Sequence, residues 1–267
     1  MCGERELKKQ FTLYDKCSII KVVNFELVGD TVNMKRIDKI ISEHTYYTRK
    51  EIKKLISQGA VYVNGEEVKR PECKYDETDI SLTINGEEIK IKQNIYLLLN
   101  KPKGYVSATE DVSQKTVLDL IPMEYKYRNL FPAGRLDKDT TGLMLITDDG
   151  EFAHNILSPR KHVSKEYEVT LDIPVTLTMV EEFRNGVNLS DGECKTAELK
   201  ITGEYTANVT ITEGRYHQIK RMFGCFGAKV LELHRIRIGN LYLPEELKLG
   251  EVKEATLTEL ERIQERN

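Results

Sequence analysis

Phe131-Pro132-Ala133-Gly134-Arg135-Leu136-Asp137-Lys138-Asp139-Thr140-Thr141-Gly142-Leu143-Met144-Leu145 is the stretch around which this chain is organised. A charged loop bounded by Gly134 and Gly142 leads directly into an apolar strand over Thr141 to Thr147. A loop held by a rigid strand is where a reactive side chain can be presented to a substrate. By residue type alone, Arg135 and Asp137 also read as an ordinary ion pair at a surface turn.

Working outward, Tyr96 to Leu99 reads as a buried strand that enters Asn100-Lys101-Pro102-Lys103-Gly104, where proline and glycine force a turn. Downstream, Asp148-Asp149-Gly150 stops the apolar strand, and Phe152, Ile156 and Leu157 mark a short helix. Glu166 to Leu171, Ala207 to Thr212 and Lys229 to Ile238 alternate as strands, while Pro174 to Phe183, His217 to Phe226 and Leu257 to Ile263 read as helices. Strands and helices do not alternate strictly. The expectation is an α+β domain with a mixed, mainly antiparallel sheet rather than a doubly wound one.

Upstream lies a different pattern. Ile37, Ile40 and Ile41 recur at helical spacing, and Thr48-Arg49-Lys50-Glu51 reads as a capping box. Behind it Ile52, Leu55 and Ile56 form an apolar stripe that leaves Arg49, Lys50, Lys53 and Lys54 for the opposite side, until Gly59 ends the helix. Val61-Tyr62-Val63 meets Asn64-Gly65, and Ile80 to Ile84 meets Asn85-Gly86, both strong hairpin-turn signals. A polar stretch from Lys90 to Asn94 reads as a linker. The expected division is 34–92 and 93–267, with 1–33, ahead of Met34, as an added or upstream-translated extension.

With 40% hydrophobic residues the 267-residue chain can fill a core, and no run approaches the ~20 apolar residues of a membrane-spanning helix. The N-terminus lacks a secretory pattern, so a cytoplasmic location is expected. The five cysteines form no C-x-x-C pair and the five histidines no metal-ligand spacing, so neither a disulfide framework nor a metal site is expected. The motifs G-x-x-x-x-G-K-[ST], G-x-G-x-x-G and Gly-x-Ser-x-Gly are missing, which speaks against nucleotide hydrolysis, dinucleotide redox chemistry and serine hydrolysis. A net charge of −3 does not advertise a nucleic-acid partner, so any positive face must be local.

Two resemblances sharpen this reading. Residues 34–90 resemble the alpha-L RNA-binding domain of the ribosomal protein S-four type, in which the helix pair lies against RNA phosphates. The run around Asp137 closely resembles the signature loop of pseudouridine synthases of the RsuA group, typified by an enzyme of small-subunit (16S) rRNA. Asn100 to Gly104, Lys165-Glu166-Tyr167, Glu213-Gly214-Arg215-Tyr216-His217-Gln218-Ile219-Lys220-Arg221-Met222 and Leu233 to Gly239 match further motifs of that family in order, so that the likeness covers residues 34–262.

The resemblance implies isomerisation of a uridine within folded ribosomal RNA, with no cofactor; nothing in the sequence suggests more than a monomer. It makes Asp137 the essential carboxylate, whether by attack at the anomeric carbon, attack on the ring or deprotonation of the sugar. Lys220 is its implied cationic partner, and Tyr167 the face and phenol for the flipped base. Leu136 and Ile219 would form the pocket wall, and Arg135 would hold the displaced strand or fill the vacated stack. The RNA-binding set is completed by Arg49, Lys50, Lys53, Lys54, Lys101, Lys103, Arg215, His217, Gln218, Arg221 and Arg235. Arg128, Arg160, Lys161 and Arg237 are further candidates for a positive cleft. Two alternatives remain open: a large-subunit (23S) target, against which the lack of a long basic C-terminal tail weighs, and an RNA-binding or ribosome-assembly protein without catalysis.

Overall fold

The computed structural model describes residues 34–91, 94–158, 161 and 163–264. The segment 1–33 and Arg160 therefore lie outside the described residues. The chain divides after Ile91 into two compact units.

The first unit opens with strand β1 (Met34–Arg36) and helices α1 (Ile37–His44) and α2 (Arg49–Ser57). Both parts of the capping box form at α2: the Thr48 hydroxyl accepts from the Glu51 amide at 3.3 Å, and the Thr48 amide donates to Glu51 at 2.8 Å. Such a cap satisfies amides that the first helical turn leaves without partners. Strands β2 (Val61–Val63), β3 (Glu66–Glu67), β4 (Lys74–Asp76), β5 (Leu82–Ile84) and β6 (Glu87–Ile89) follow. β1 pairs with β4, and β3-β2-β5-β6 make a small antiparallel sheet. Asn64-Gly65 and Asn85-Gly86 close its two hairpins with positive φ at all four residues, which explains the Asn-Gly pairs. Ile37, Ile40, Ile41, Ile52, Ile56, Val61 and Leu82 form the core, so Arg49, Lys50, Lys53 and Lys54 are left exposed along α2.

The second unit comprises β7 (Tyr96–Lys101), β8 (Phe131–Pro132), β9 (Thr141–Thr147), α3 (Gly150–Leu157), β10 (Lys165–Leu171), α4 (Leu177–Asn185), β11 (Asn188–Leu189), β12 (Gly192–Glu193), β13 (Glu198–Ile201), β14 (Thr206–Ile211), α5 (Gln218–Gly224), β15 (Val230–Ile238), β16 (Leu241–Tyr242), β17 (Val252–Glu254) and α6 (Leu257–Gln264). Its sheet runs β13-β14-β10-β15-β9-β7-β17, with β16 beside β15 and β8 beside β9. Every pairing in it is antiparallel except β15 with β9. The mixed, mainly antiparallel sheet expected from the sequence is thus present.

The period of two in side-chain direction explains why β9 is apolar throughout. Met144 and Ile146 join the cluster holding Phe183 of α4 and Met222 and Phe223 of α5, whereas Leu143 and Leu145 join the one holding Phe152, Ile156, Leu260 and Ile263. A strand buried on both faces reads as a continuous hydrophobic run. Helix α4 starts at Leu177 rather than Pro174 because Thr176 caps it, accepting from the Met179 amide. Of the described cysteines, Cys194 and Cys225 are free thiols. No helix of the described residues is long and apolar enough to cross a membrane.

Candidate active site

Asp137 stands on the short loop between β8 and β9, and the turn after β7 holds that loop from behind. The Ser107 hydroxyl donates to the Leu136 carbonyl at 2.7 Å and accepts from the Leu136 amide at 2.9 Å. The Gly104 amide donates to the Lys138 carbonyl at 2.8 Å, and the Lys138 ammonium donates to Gln114 at 2.9 Å. Beneath them lies Lys101, fully buried, whose Nζ reaches the carbonyl oxygens of Asp137 (3.0 Å), Lys138 (3.3 Å), Thr140 (2.8 Å) and Pro102 (3.2 Å). Burial pushes the Lys101 ammonium down to about 8, with the charges of Asp139 and Asp137 opposing the shift.

The carboxylate is met from the other side by α5 and the residue before it. Lys220 Nζ lies 3.0 Å from Asp137 Oδ2 and 2.6 Å from Asp139 Oδ1, and His217 Nε2 lies 3.5 Å from Asp137 Oδ1. Partial burial pulls the Lys220 ammonium down, but its hydrogen bonds to Asp139 and Asp137 prevail and raise it. The Lys220 hydrogen bond is also the main reason that the Asp139 carboxyl sits below its ordinary value. One oxygen of Asp137 thus faces a permanent cation and the other an imidazole. A carboxylate between two such groups is placed where a nucleophile or base could work. Tyr167, Leu136 and Ile219 all belong to the larger buried cluster of this unit.

Burial reassigns several side chains expected on RNA. Lys101 is sealed in the loop cage and reaches no surface. Arg235 is 4% exposed and donates through Nε to the Leu143 carbonyl at 2.6 Å, so it ties β15 to β9. Gln218, also 4% exposed, accepts from the Arg215 amide and donates to Glu213, bracing the turn into α5. Arg215 donates to the carbonyls of Gly192 and Glu193 and pairs with Asp191, which Arg221 also engages; both guanidiniums fasten α5 to the β11–β12 hairpin. Their hydrogen bonds, that of Arg221 first, hold the Asp191 carboxyl well below the usual range. Arg128 pairs with Asp148 at 2.5 Å and Arg237 with Glu166 at 2.7 Å, both largely buried. Arg135, Lys103 and Lys161 are exposed, with Lys103 paired to Glu232 at 2.5 Å.

Sequence reasoning did not single out Asp139, which shares Lys220 with Asp137; its position two residues along the same loop was the available signal. Ser107 and Asp191 carried none, since each acquires its role from segments distant in the chain.

Residues 95–224 match the family model described as RNA pseudouridylate synthase, and residues 35–80 match the S4 domain. A Bacillus subtilis protein described as an uncharacterized RNA pseudouridine synthase is 40% identical over 86% of this chain and 98% of its own length. The ribosomal small subunit pseudouridine synthase A of Haemophilus influenzae is 41% identical over 85% of this chain and 99% of its own length. A solved structure, a crystal structure of pseudouridylate synthase, superimposes with a TM-score of 0.61 at 39% identity, covering 85% of this chain and 99% of that one. An S4 domain followed by a catalytic unit with these relatives over nearly their full length means that this chain belongs to the RNA pseudouridylate synthase family.

Proposed function

We propose that this enzyme converts a specific uridine of small-subunit (16S) rRNA to pseudouridine, acting as a cytoplasmic monomer on the ribosomal subunit or its precursor. The observation that carries the target is the 41% identity, over 99% of its length, to a relative named for the small ribosomal subunit. Asp137 is the catalytic carboxylate, Lys220 pairs with it at 3.0 Å, and Tyr167 with Leu136 and Ile219 lines the pocket for the base. His217 flanks the second carboxylate oxygen. Arg135, on the exposed side of the loop, contacts the strand from which the uridine leaves. In the first unit Arg49, Lys50, Lys53 and Lys54 offer phosphate contacts along the exposed side of α2.

The reaction breaks the bond from the anomeric carbon to ring nitrogen one and makes one to ring carbon five. That carbon loses its proton to solvent, and the freed nitrogen gains one. No electrons are exchanged with a partner. Unstacking the target costs a few kcal/mol, which the phosphate contacts offset. The test is incubation with small-subunit rRNA and its precursor particles, followed by carbodiimide-blocked primer extension. One new stop in 16S rRNA is expected; stops only in 23S rRNA would move the target, and none in either would overturn the reading.

The Lys101 cage carries its own expectation. With the folded ammonium at about 8 and the unfolded one near 10.5, the folded chain binds fewer protons than the unfolded chain across that window. The cost of burying the charge is therefore full below pH 8 and relieved towards 10.5, so this group's contribution to stability rises with pH. The neutral amine, however, has one donor fewer for the carbonyls of the Asp137 loop. The turnover rate is expected to fall through about pH 8 while Tm does not fall with it. Lys101→Met is expected to lose at least about tenfold in kcat with RNA affinity retained, because carbonyls left buried without a donor cost about 1–3 kcal/mol each. Tritium release from uridine labelled at carbon five, set beside filter binding, measures both.

A further inference from the structure

Tyr216 is 73% exposed, yet its ring is held in place. It stacks on the imidazole of His217 with centroids 3.8 Å apart and an interplanar angle of 20°, so one face is covered and the other open. His217 occupies the left-handed backbone region, φ 48° and ψ 34°, which side chains other than glycine seldom adopt. The chain around the pair is pinned. The Arg215 amide donates to Gln218 at 3.0 Å, and Arg221 Nη1 donates to the Tyr216 carbonyl at 3.2 Å. The inner end of the stack is the active site itself, since His217 Nε2 lies 3.5 Å from Asp137 Oδ1. A short aromatic column therefore starts beside the reacting carboxylate and ends on an open phenol face.

We infer that the outer face of Tyr216 is a stacking site for an RNA nucleobase flanking the target uridine. The inference rests on the proposed action on rRNA. When the uridine leaves its stack, the neighbouring base loses a partner, and a flat ring fixed next to the point of entry replaces it. The chemistry of the surroundings favours a base over a phosphate. Arg215, Lys220 and Arg221, the nearest Lys and Arg side chains in the sequence, are engaged with Asp191 or with Asp137 and Asp139, so the surface offers an uncharged aromatic face rather than a free cation. Stacking of this kind tolerates any base, because each has a π-face. The pre-ordered ring pair also limits the side-chain entropy lost on binding.

Steady-state tritium release from small-subunit rRNA by the full-length Tyr216→Ala and Tyr216→Phe proteins tests it. Tyr216→Ala is expected to raise KM by roughly ten- to a hundredfold, the usual range for loss of a base–aromatic stack, with kcat within about threefold of wild type. Its Tm should stay at the wild-type value, because the ring is exposed and covers no core. Tyr216→Phe keeps the face and should restore KM to within about twofold. A merely structural ring would move Tm or kcat instead. A wild-type KM in Tyr216→Ala overturns the inference, as does a Tyr216→Phe protein as impaired as Tyr216→Ala, which would assign the effect to the hydroxyl. An active wild type with an unaffected Tyr216→Ala removes this inference alone. A wild type that releases no tritium from any rRNA removes the functional reading as well.

Discussion

Asp137→Asn is expected to lower pseudouridine formation by at least about a thousandfold, equivalent to about 4 kcal/mol of lost transition-state stabilisation. Asparagine has nearly the shape of aspartate but is neither a nucleophile nor a base at neutral pH, so every route open to the carboxylate is closed. The fold should survive, because Lys220 keeps Asp139 at 2.6 Å and the loop is held through backbone groups by Lys101, Gly104 and Ser107. RNA affinity should stay within about twofold or improve slightly, since a negative charge is removed from a surface that receives phosphates. Tritium release and filter binding on the same rRNA separate these effects. Retention of more than a few per cent of activity would remove Asp137 from its catalytic role.

Gly142→Ala is expected to cost more than about 4 kcal/mol, beyond the range of ordinary point substitutions. A Cβ at this position would lie 2.2 Å from the Arg235 carbonyl oxygen and 2.6 Å from the Arg235 amide nitrogen, and φ is +107°. Both colliding atoms are backbone, so no side chain can swing aside. The place matters as much as the clash. β9 and β15 form the seam between β13-β14-β10-β15 on one side and β9-β7-β17 on the other, in register only at His234 with Thr141 and Arg235 with Gly142. Pushing β15 away would also strain the bond from Arg235 to the Leu143 carbonyl and the contact at 2.8 Å between Thr141 and His234. Differential scanning fluorimetry should show Tm lowered by about 10 °C or more, or no soluble protein. A Tm within about 2 °C of wild type would show that the seam can open without penalty.

The same pair of strands marks where the chain stops being readable residue by residue. The capping box at Thr48 and Glu51, the Asn-Gly turns and the stripe of Ile52 and Ile56 depend on contacts within a few positions, so their chemistry is legible in order along the chain. The loop carrying Asp137 was legible too, since its charge pattern and flanking glycines lie within one stretch. The strand Glu198–Ile201 and the hairpin Asn188 to Glu193 were not, because short edge strands carry little periodicity and owe their form to their partners.

What the chain order alone determined is the two-part plan, the mixed sheet and the family-defining motifs. Tertiary structure alone decided which cations face solvent. Lys101, Arg235, Arg215 and Arg221 look in sequence like any other basic residues of an RNA-binding protein. Lys101 is buried because the Asp137 loop, more than thirty residues later, folds its carbonyls over the ammonium. Arg235 is buried because β15 meets β9 across more than ninety residues, at the one position where a glycine lets the backbones touch. Burial and hydrogen-bond partners depend on such long-range encounters, and a charged side chain becomes structural or available for RNA only once they have been made.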